Sequence, residues 1–337
     1  MSDSSALALK SHHLPYWFGL AAGLLGLSLL WTGLFWSQLG HPLPETGWMA
    51  EVYAVKRAHA KALPSPKVLV LAGSNALFSL DSGLLEADWG RPVVNLGVNA
   101  ALGLDYLLRT AEPLLQPGDL VVMPLEYPLY QGDRFLNAQL IDYVIGQDPG
   151  YWRSLPFFER LSFIAQVPAA RLIAGLRPPV ESPPTPSGLY RAQYLDARGD
   201  YTHNDWSQLT AAERVIAEQA HAQARLKRHT YGRDDRADAP GWQRLRAFHQ
   251  QLQRRGIGLW MVPPALMDQP SYHTDSVERH YYETLPERVR ALGIPFFWDP
   301  YACMYPPEDF FDTPYHLTAA ARTRHTRSLI AQLPSPP

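Results

Sequence analysis

Lys67–Asn75, KVLVLAGSN, decides how the rest of the chain is read. An apolar run rich in valine leads without a break into Gly73-Ser74-Asn75. A strand buried on both faces is therefore expected to end at a tight turn that opens a helix. A serine at such a turn stands at the carboxyl rim of a sheet, where its hydroxyl and backbone N–H meet whatever binds there. The glycine before it permits the turn and a close approach. Gly-Ser-Asn is also an ordinary turn and helix cap, so the tripeptide alone does not establish chemistry.

Working outward, Pro92–Leu96 (PVVNL), Asp119–Pro124 (DLVVMP), Ile257–Val262 (IGLWMV) and Ile294–Trp298 (IPFFW) read as further strands. Helical stretches separate them, among them Gly103–Leu115, which Pro117-Gly118 stops. With Lys67–Ala72 this makes five strands joined by helical crossovers, the pattern of an α/β, flavodoxin-like, doubly wound parallel sheet whose sites lie at the carboxyl ends of its strands. A helical insertion of about 130–240 separates the third strand from the fourth; it holds the Pro-rich Arg177–Gly188, the polar and aromatic Gly199–Trp206 (GDYTHNDW) and a helix over Thr210–Arg228. An insertion there serves either as a lid or partner surface or as a passive cover.

The N-terminal side has a different character. No Asp, Glu, Lys or Arg occurs between Lys10 and Glu45, and Tyr16–Trp36 is almost wholly apolar. As a helix it would extend roughly 31 Å, about the hydrocarbon thickness of a bilayer, with Tyr16, Trp17 and Trp36 as interfacial anchors. The organisation expected is a tail over 1–14, a transmembrane helix over 15–37, a linker with a helix over 38–66 and an α/β domain over 67–333. A cleavable signal peptide is the alternative, but the run is long and no A-x-A site follows closely, which favours an uncleaved anchor. Lys10 on one side and Lys56, Arg57 and Lys61 on the other leave orientation undecided by charge.

Two further stretches bear on the serine. Asn95-Leu96-Gly97-Val98-Asn99 follows the second strand, where the Gly97 N–H and the Asn99 side chain could stand beside Ser74. Near the C-terminus, Asp312 and His316 share one loop before a final helix. A serine needs a base, and the base needs an acceptor that fixes its tautomer, roles that His316 and Asp312 can fill. Glu126 and Tyr127, after the third strand, are pocket-lining candidates with a buried structural role as the alternative. The His273, Asp275, Glu278 and His280 cluster opens a charged helix without metal-site spacing and reads as a solvated face, so no metal and no cofactor is expected. Cys303 is the single cysteine, excluding an intrachain disulfide, and a formal net charge of −2 gives no basis for nucleic-acid binding.

In the order of Gly73-Ser74-Asn75, Gly97 and the Asp312/His316 loop, the chain resembles the SGNH/GDSL hydrolase superfamily over most of Lys67–Leu333 outside the insertion. The resemblance implies a three-layer sandwich, Ser74 as nucleophile, Gly97 as an oxyanion donor, and Asp312 and His316 as acid and base. The last block has one residue more than D-x-x-H, and Met123-Pro124-Leu125-Glu126-Tyr127 stands where the family has G-x-N-D. An anchored, divergent member is similar to the accessory proteins of envelope acylation. That implies a single-pass protein of the bacterial cytoplasmic membrane with an extracytoplasmic domain, acting on a polysaccharide or other glycan beside a membrane-bound O-acyltransferase or polysaccharide synthesis machinery. The expected function is acyl transfer or ester hydrolysis; the alternatives are a noncatalytic assembly or carbohydrate-binding protein on the same fold, and an anchored esterase without a partner.

Overall fold

The computed structural model describes residues 14–132, 137–177 and 188–336. Most of the N-terminal tail and residues 178–187 of the Pro-rich loop lie outside the described residues. Contacts divide the chain into two units, Met1–Leu43 with Ile141–Glu181 and Pro44–Leu140 with Ser182–Pro337.

The second unit is built on a parallel sheet of four strands, β1 (Val68–Val70), β2 (Val93–Asn95), β3 (Leu120–Pro124) and β4 (Gly258–Val262), in the order β2-β1-β3-β4. Val68 pairs with Val93 on one side and Leu120 on the other, and Val122 pairs with Trp260. Alternate residues feed two cores, as the pleat requires. Leu69, Val94, Val121 and Met261 pack with Leu104, Leu107, Leu245 and Leu285. Val68, Val93, Val122 and Trp260 pack with Ala76, Leu85, Trp89 and Leu329. Helices thus cover both faces, which is why the strands carry no polar alternation. Lys67 and Asp119 form a buried ion pair at 3.1 Å, and Asp119 also accepts from the Lys67 N–H at 3.0 Å, so the amino ends of β1 and β3 are held together.

The fifth strand expected at Ile294–Trp298 does not form as a ladder. The segment reaches β4 through a single parallel bridge, Met261 to Phe296. Pro295 has no N–H to donate, the Phe296 carbonyl accepts from Arg290 Nη2 at 2.9 Å, and Trp298 turns away at φ 75°. A second, two-stranded parallel pairing joins β5 (Leu266–Met267) to β6 (Met304–Tyr305).

In the first unit, helix Leu14–Gln38 contains one segment, Tyr16–Gln38, long and apolar enough to cross a bilayer. Its last turns pack against helices of the insertion. Phe35 is fully buried against Trp152 and Phe163, Trp31 Nε1 donates to the Ile164 carbonyl at 3.0 Å, and Gln38 Nε2 donates to the Leu172 carbonyl at 2.7 Å. Arg171 ties this end together, donating to Gln38 Oε1 at 2.8 Å and pairing with Asp142 at 2.6 Å.

Candidate active site

Ser74 opens helix Ser74–Ser79, directly beyond β1, and is half-buried. Its turn is fixed from below by Glu126, which follows β3 and is buried. The Glu126 carboxylate accepts the Gly73 N–H at 2.9 Å and the Asn75 N–H at 2.8 Å, and Asn75 Nδ2 donates to the Pro124 carbonyl at 3.0 Å. The N–H groups on either side of Ser74 are engaged; among the described residues no acceptor takes the Ser74 N–H, as expected for the first turn of a helix. Burial pushes the Glu126 carboxyl above its ordinary range, and the two backbone N–H bonds offset this only in part.

A β-carbon on Gly73 would lie 2.5 Å from the backbone of Ala100. Glycine is required there because another loop presses on the turn.

His316 and Asp312 are both buried, and His316 Nδ1 stands 2.7 Å from Asp312 Oδ1. That contact leaves Nε2 as the ring nitrogen available for proton transfer, and Nε2 has no hydrogen-bond partner among the described residues. The imidazole lies flat on Phe78, with centroids 4.0 Å apart and planes within 9°. Phe78 is one helical turn beyond Ser74, so the stack brings the imidazole to the helix face that Ser74 shares. Ser79 Oγ donates to the Tyr315 carbonyl at 2.8 Å, docking the same helix on the same loop. Among the described residues no hydrogen bond reaches Ser74 Oγ, and none joins it to His316.

Tyr190, from the insertion, donates its hydroxyl to Asp312 Oδ2. Its ring meets Phe78 edge-on at 5.6 Å and His316 at 6.0 Å. Burial first, and Asp312 second, raise the Tyr190 hydroxyl well above its ordinary value, so it remains a donor.

Gly97 departs from expectation. Its N–H is taken by Asn95 Oδ1 at 2.8 Å and is not free to meet an oxyanion. The residue serves instead as a spacer, since a β-carbon there would meet Ala76 Cβ and the Gly73 carbonyl at 2.6 Å. Asn99 Oδ1 caps the turn over Ala100–Leu102 by accepting the Ala101 N–H at 2.8 Å. Behind Gly97 lies a buried polar network. Asp200 accepts from Asn95 Nδ2 at 2.8 Å and from the Ser82 N–H and hydroxyl at 2.6 and 2.7 Å; Asn95 Nδ2 also reaches the Ala76 carbonyl at 2.6 Å. Lys56 donates to the Gly97 carbonyl. Burial lowers the Lys56 amine to about 7, with Asp200 and Asp196 opposing, and burial raises Asp200 to about 6.

Tyr127 is buried among Tyr231, Tyr281 and Tyr282, with centroids at 5.4, 5.8 and 5.1 Å. It also lines a cavity of about 510 Å³ with Gln131, Lys227, Arg228, Tyr231 and Arg236. The Tyr127 hydroxyl is buried without a hydrogen-bond partner, whereas that of Tyr231 faces the Tyr315 hydroxyl. The cavity adjoins both halves of the site in sequence and space: Tyr127 follows Glu126, and the Tyr231 ring lies 6.3 Å from that of Tyr315, the residue before His316.

The cluster at 273–280 has local roles. His273 Nε2 contacts Asp268 Oδ1 at 2.7 Å, Asp275 caps helix Ser276–Arg290, and Glu278 accepts the Gly232 N–H at 3.0 Å. Among the described residues no group of His, Cys, Asp or Glu side chains could hold a metal ion.

Sequence reasoning missed Phe78, Lys56, Tyr190 and Asp200 as partners of the site. Asp200 falls in the polar and aromatic Gly199–Trp206; Tyr190 carries no local signal. Comparison with family models, with curated proteins and with solved structures finds no match.

Proposed function

We propose that this chain is a membrane-anchored, SGNH-like acyl-transfer enzyme acting on a cell-envelope glycan, with Ser74 as nucleophile, His316 as general base and Asp312 as its orienting acid. The observation that carries this reading is the Asp312–His316 pair stacked on Phe78, one turn along the helix that Ser74 opens. In the reaction, Ser74 Oγ attacks the acyl carbonyl and passes its proton to His316 Nε2. The tetrahedral oxyanion meets the Ser74 N–H and the Asn99 side-chain amide; Gly97 is left out because its N–H is engaged. Collapse expels the donor's alcohol, which takes the proton from His316. A sugar hydroxyl, or water, then attacks the acyl-serine and gives its proton to His316, which passes it to Ser74 Oγ as the acyl–serine bond breaks. The cavity beside Tyr127 and Tyr231 suits the glycan, with tyrosines in its lining and Lys227 and Arg228 at its rim. The Tyr16–Gln38 segment would hold the enzyme at a bacterial cytoplasmic membrane, with the α/β unit extracytoplasmic and beside a membrane-bound O-acyltransferase that delivers the acyl group.

The test is labelling of the purified full chain with a fluorophosphonate, together with acetate release from an acetylated glycan. Ser74→Ala and His316→Ala should each lower both by about a thousandfold or more. Unchanged labelling in correctly folded Ser74→Ala ends this reading. A second reading, a noncatalytic glycan-binding assembly protein, is favoured by the engaged Gly97 N–H and by the absence of a hydrogen bond to Ser74 Oγ among the described residues. It predicts glycan binding without labelling and co-purification with the acyltransferase.

A further inference from the structure

We infer that helices Phe157–Gln166 and Ala169–Ala174 are a second membrane element, lying in the headgroup–acyl boundary of the bilayer that Tyr16–Gln38 crosses. The inference rests on the membrane reading of that segment and goes beyond it. In an ordinary surface helix the apolar residues face inward. Here Phe163 faces inward and is fully buried, yet Phe157 and Phe158 are 59 % and 80 % exposed, and Ile173 and Leu176 are 66 % and 63 % exposed. Leu161 lies on the exposed side as well. The unit's own core does not use these apolar side chains, and large exposed apolar groups of this kind mark a contact site.

The occupant follows from where the face stands. Trp31, Phe35, Trp36 and Gln38, all in the last turns of the Tyr16–Gln38 segment, touch the insertion helices. A helix of 23 residues extends about 34 Å at 1.5 Å per residue, slightly more than the roughly 30 Å hydrocarbon layer, so its final turns reach the boundary with the headgroups. The insertion helices are therefore held at boundary depth beside the span, whose Leu24, Leu27 and Leu30 are exposed. Arg153 and Arg177, both exposed, flank the two helices and suit anionic headgroups. Arg160, over the ring of Trp152 at 5.9 Å, keeps a further cation at this level.

The experiment uses the full chain carrying Cys303→Ser, which removes its one cysteine, in nanodiscs of phosphatidylethanolamine and phosphatidylglycerol with or without brominated acyl chains. Bimane is attached in turn at Phe158→Cys, Ile173→Cys, Leu24→Cys as the span reference, and Val277→Cys as a surface reference from the other unit; circular dichroism checks folding. Bromolipid quenching at 158 and 173 should approach that at 24 and exceed that at 277 by about twofold or more. Strong quenching at 24 with 158 and 173 no different from 277 overturns the inference and leaves the span standing. Absence of quenching at 24 as well removes the span reading itself. Unquenched 158 with label-to-label contact between copies assigns the face to a second copy and also overturns the proposal.

Discussion

The Ser74 turn and the Asp312–His316 loop each depend on one buried carboxylate, but the two carboxylates are used differently. Glu126 gives both oxygens to backbone N–H groups, those of Gly73 and Asn75. Asp312 gives both to side chains, His316 Nδ1 and the Tyr190 hydroxyl. The first arrangement fixes where the chain runs; the second fixes how a ring is turned and which nitrogen carries its proton. Damage at Glu126 should therefore register first in stability, and damage at Asp312 first in turnover.

The largest expected effect tests that division at the acid. Asp312→Asn preserves the side chain's shape but lets an amide N–H face His316, favouring the wrong tautomer. Turnover should fall by about three to four orders of magnitude with little change in melting temperature. A variant that keeps turnover but melts early would show Asp312 to be a structural acid like Glu126. Next in size is Glu126→Gln, where one of the two backbone N–H groups would confront an amide N–H. A loss of about 1–3 kcal/mol is expected, read from denaturant unfolding, with a smaller fractional effect on KM than on stability. An unchanged midpoint would mean that the Ser74 turn holds without its carboxylate anchor.

The two halves also differed in how far the sequence exposed them. Strand ends, the place of the Ala211–Leu226 helix and the Asp312/His316 spacing depend on local composition, and all could be read directly. The Ser74 turn could be located but not its anchor: Glu126 stood as a pocket-lining candidate or a buried structural residue, and its carboxylate lies beneath the turn. A Gly97 N–H beside Ser74 serves an oxyanion only if it is free, and the Asx-type bond to Asn95, two residues earlier, takes it. The fifth strand failed on Pro295 and on an arginine reaching the Phe296 carbonyl, a side-chain event invisible to periodicity. Tyr190, Lys56 and Asp200 reach the site through tertiary folding across more than a hundred residues of insertion or from the linker helix, and no local pattern marks such a contact.

Smaller changes can probe each side further. Tyr190→Phe removes one donor to Asp312 while keeping the ring that covers Phe78 and His316. Turnover should drop by several-fold to about tenfold, and stability by about 1 kcal/mol, since Asp312 loses one of two partners. A drop as large as that of Asp312→Asn would show that the tyrosine hydroxyl, rather than the carboxylate, sets the imidazole.

The smallest effect is a slope rather than a loss, and it belongs to the polar network behind Gly97. Burial lowers the Lys56 amine to about 7, so between that value and the ordinary lysine value the unfolded chain holds a proton that the folded chain has released. Stability must therefore rise with pH across that window, because unfolding takes up a proton. Asp200 is raised to about 6, so from the ordinary aspartate value up to there the folded chain holds the extra proton and stability must fall as pH rises. The two slopes meet in a shallow minimum between about 6 and 7. Lys56→Met keeps most of the buried volume and removes the amine; the variant's unfolding free energy should lose this rise above about 7, so the difference between it and the parent chain should change steadily with pH from there to the ordinary lysine value. If the parent and Lys56→Met curves run parallel from there to alkaline pH, the amine is not held out of water by folding. The Gly97 loop would then owe its position to Asn95 alone, and the backbone-fixed side of the site would extend no deeper than the turn itself.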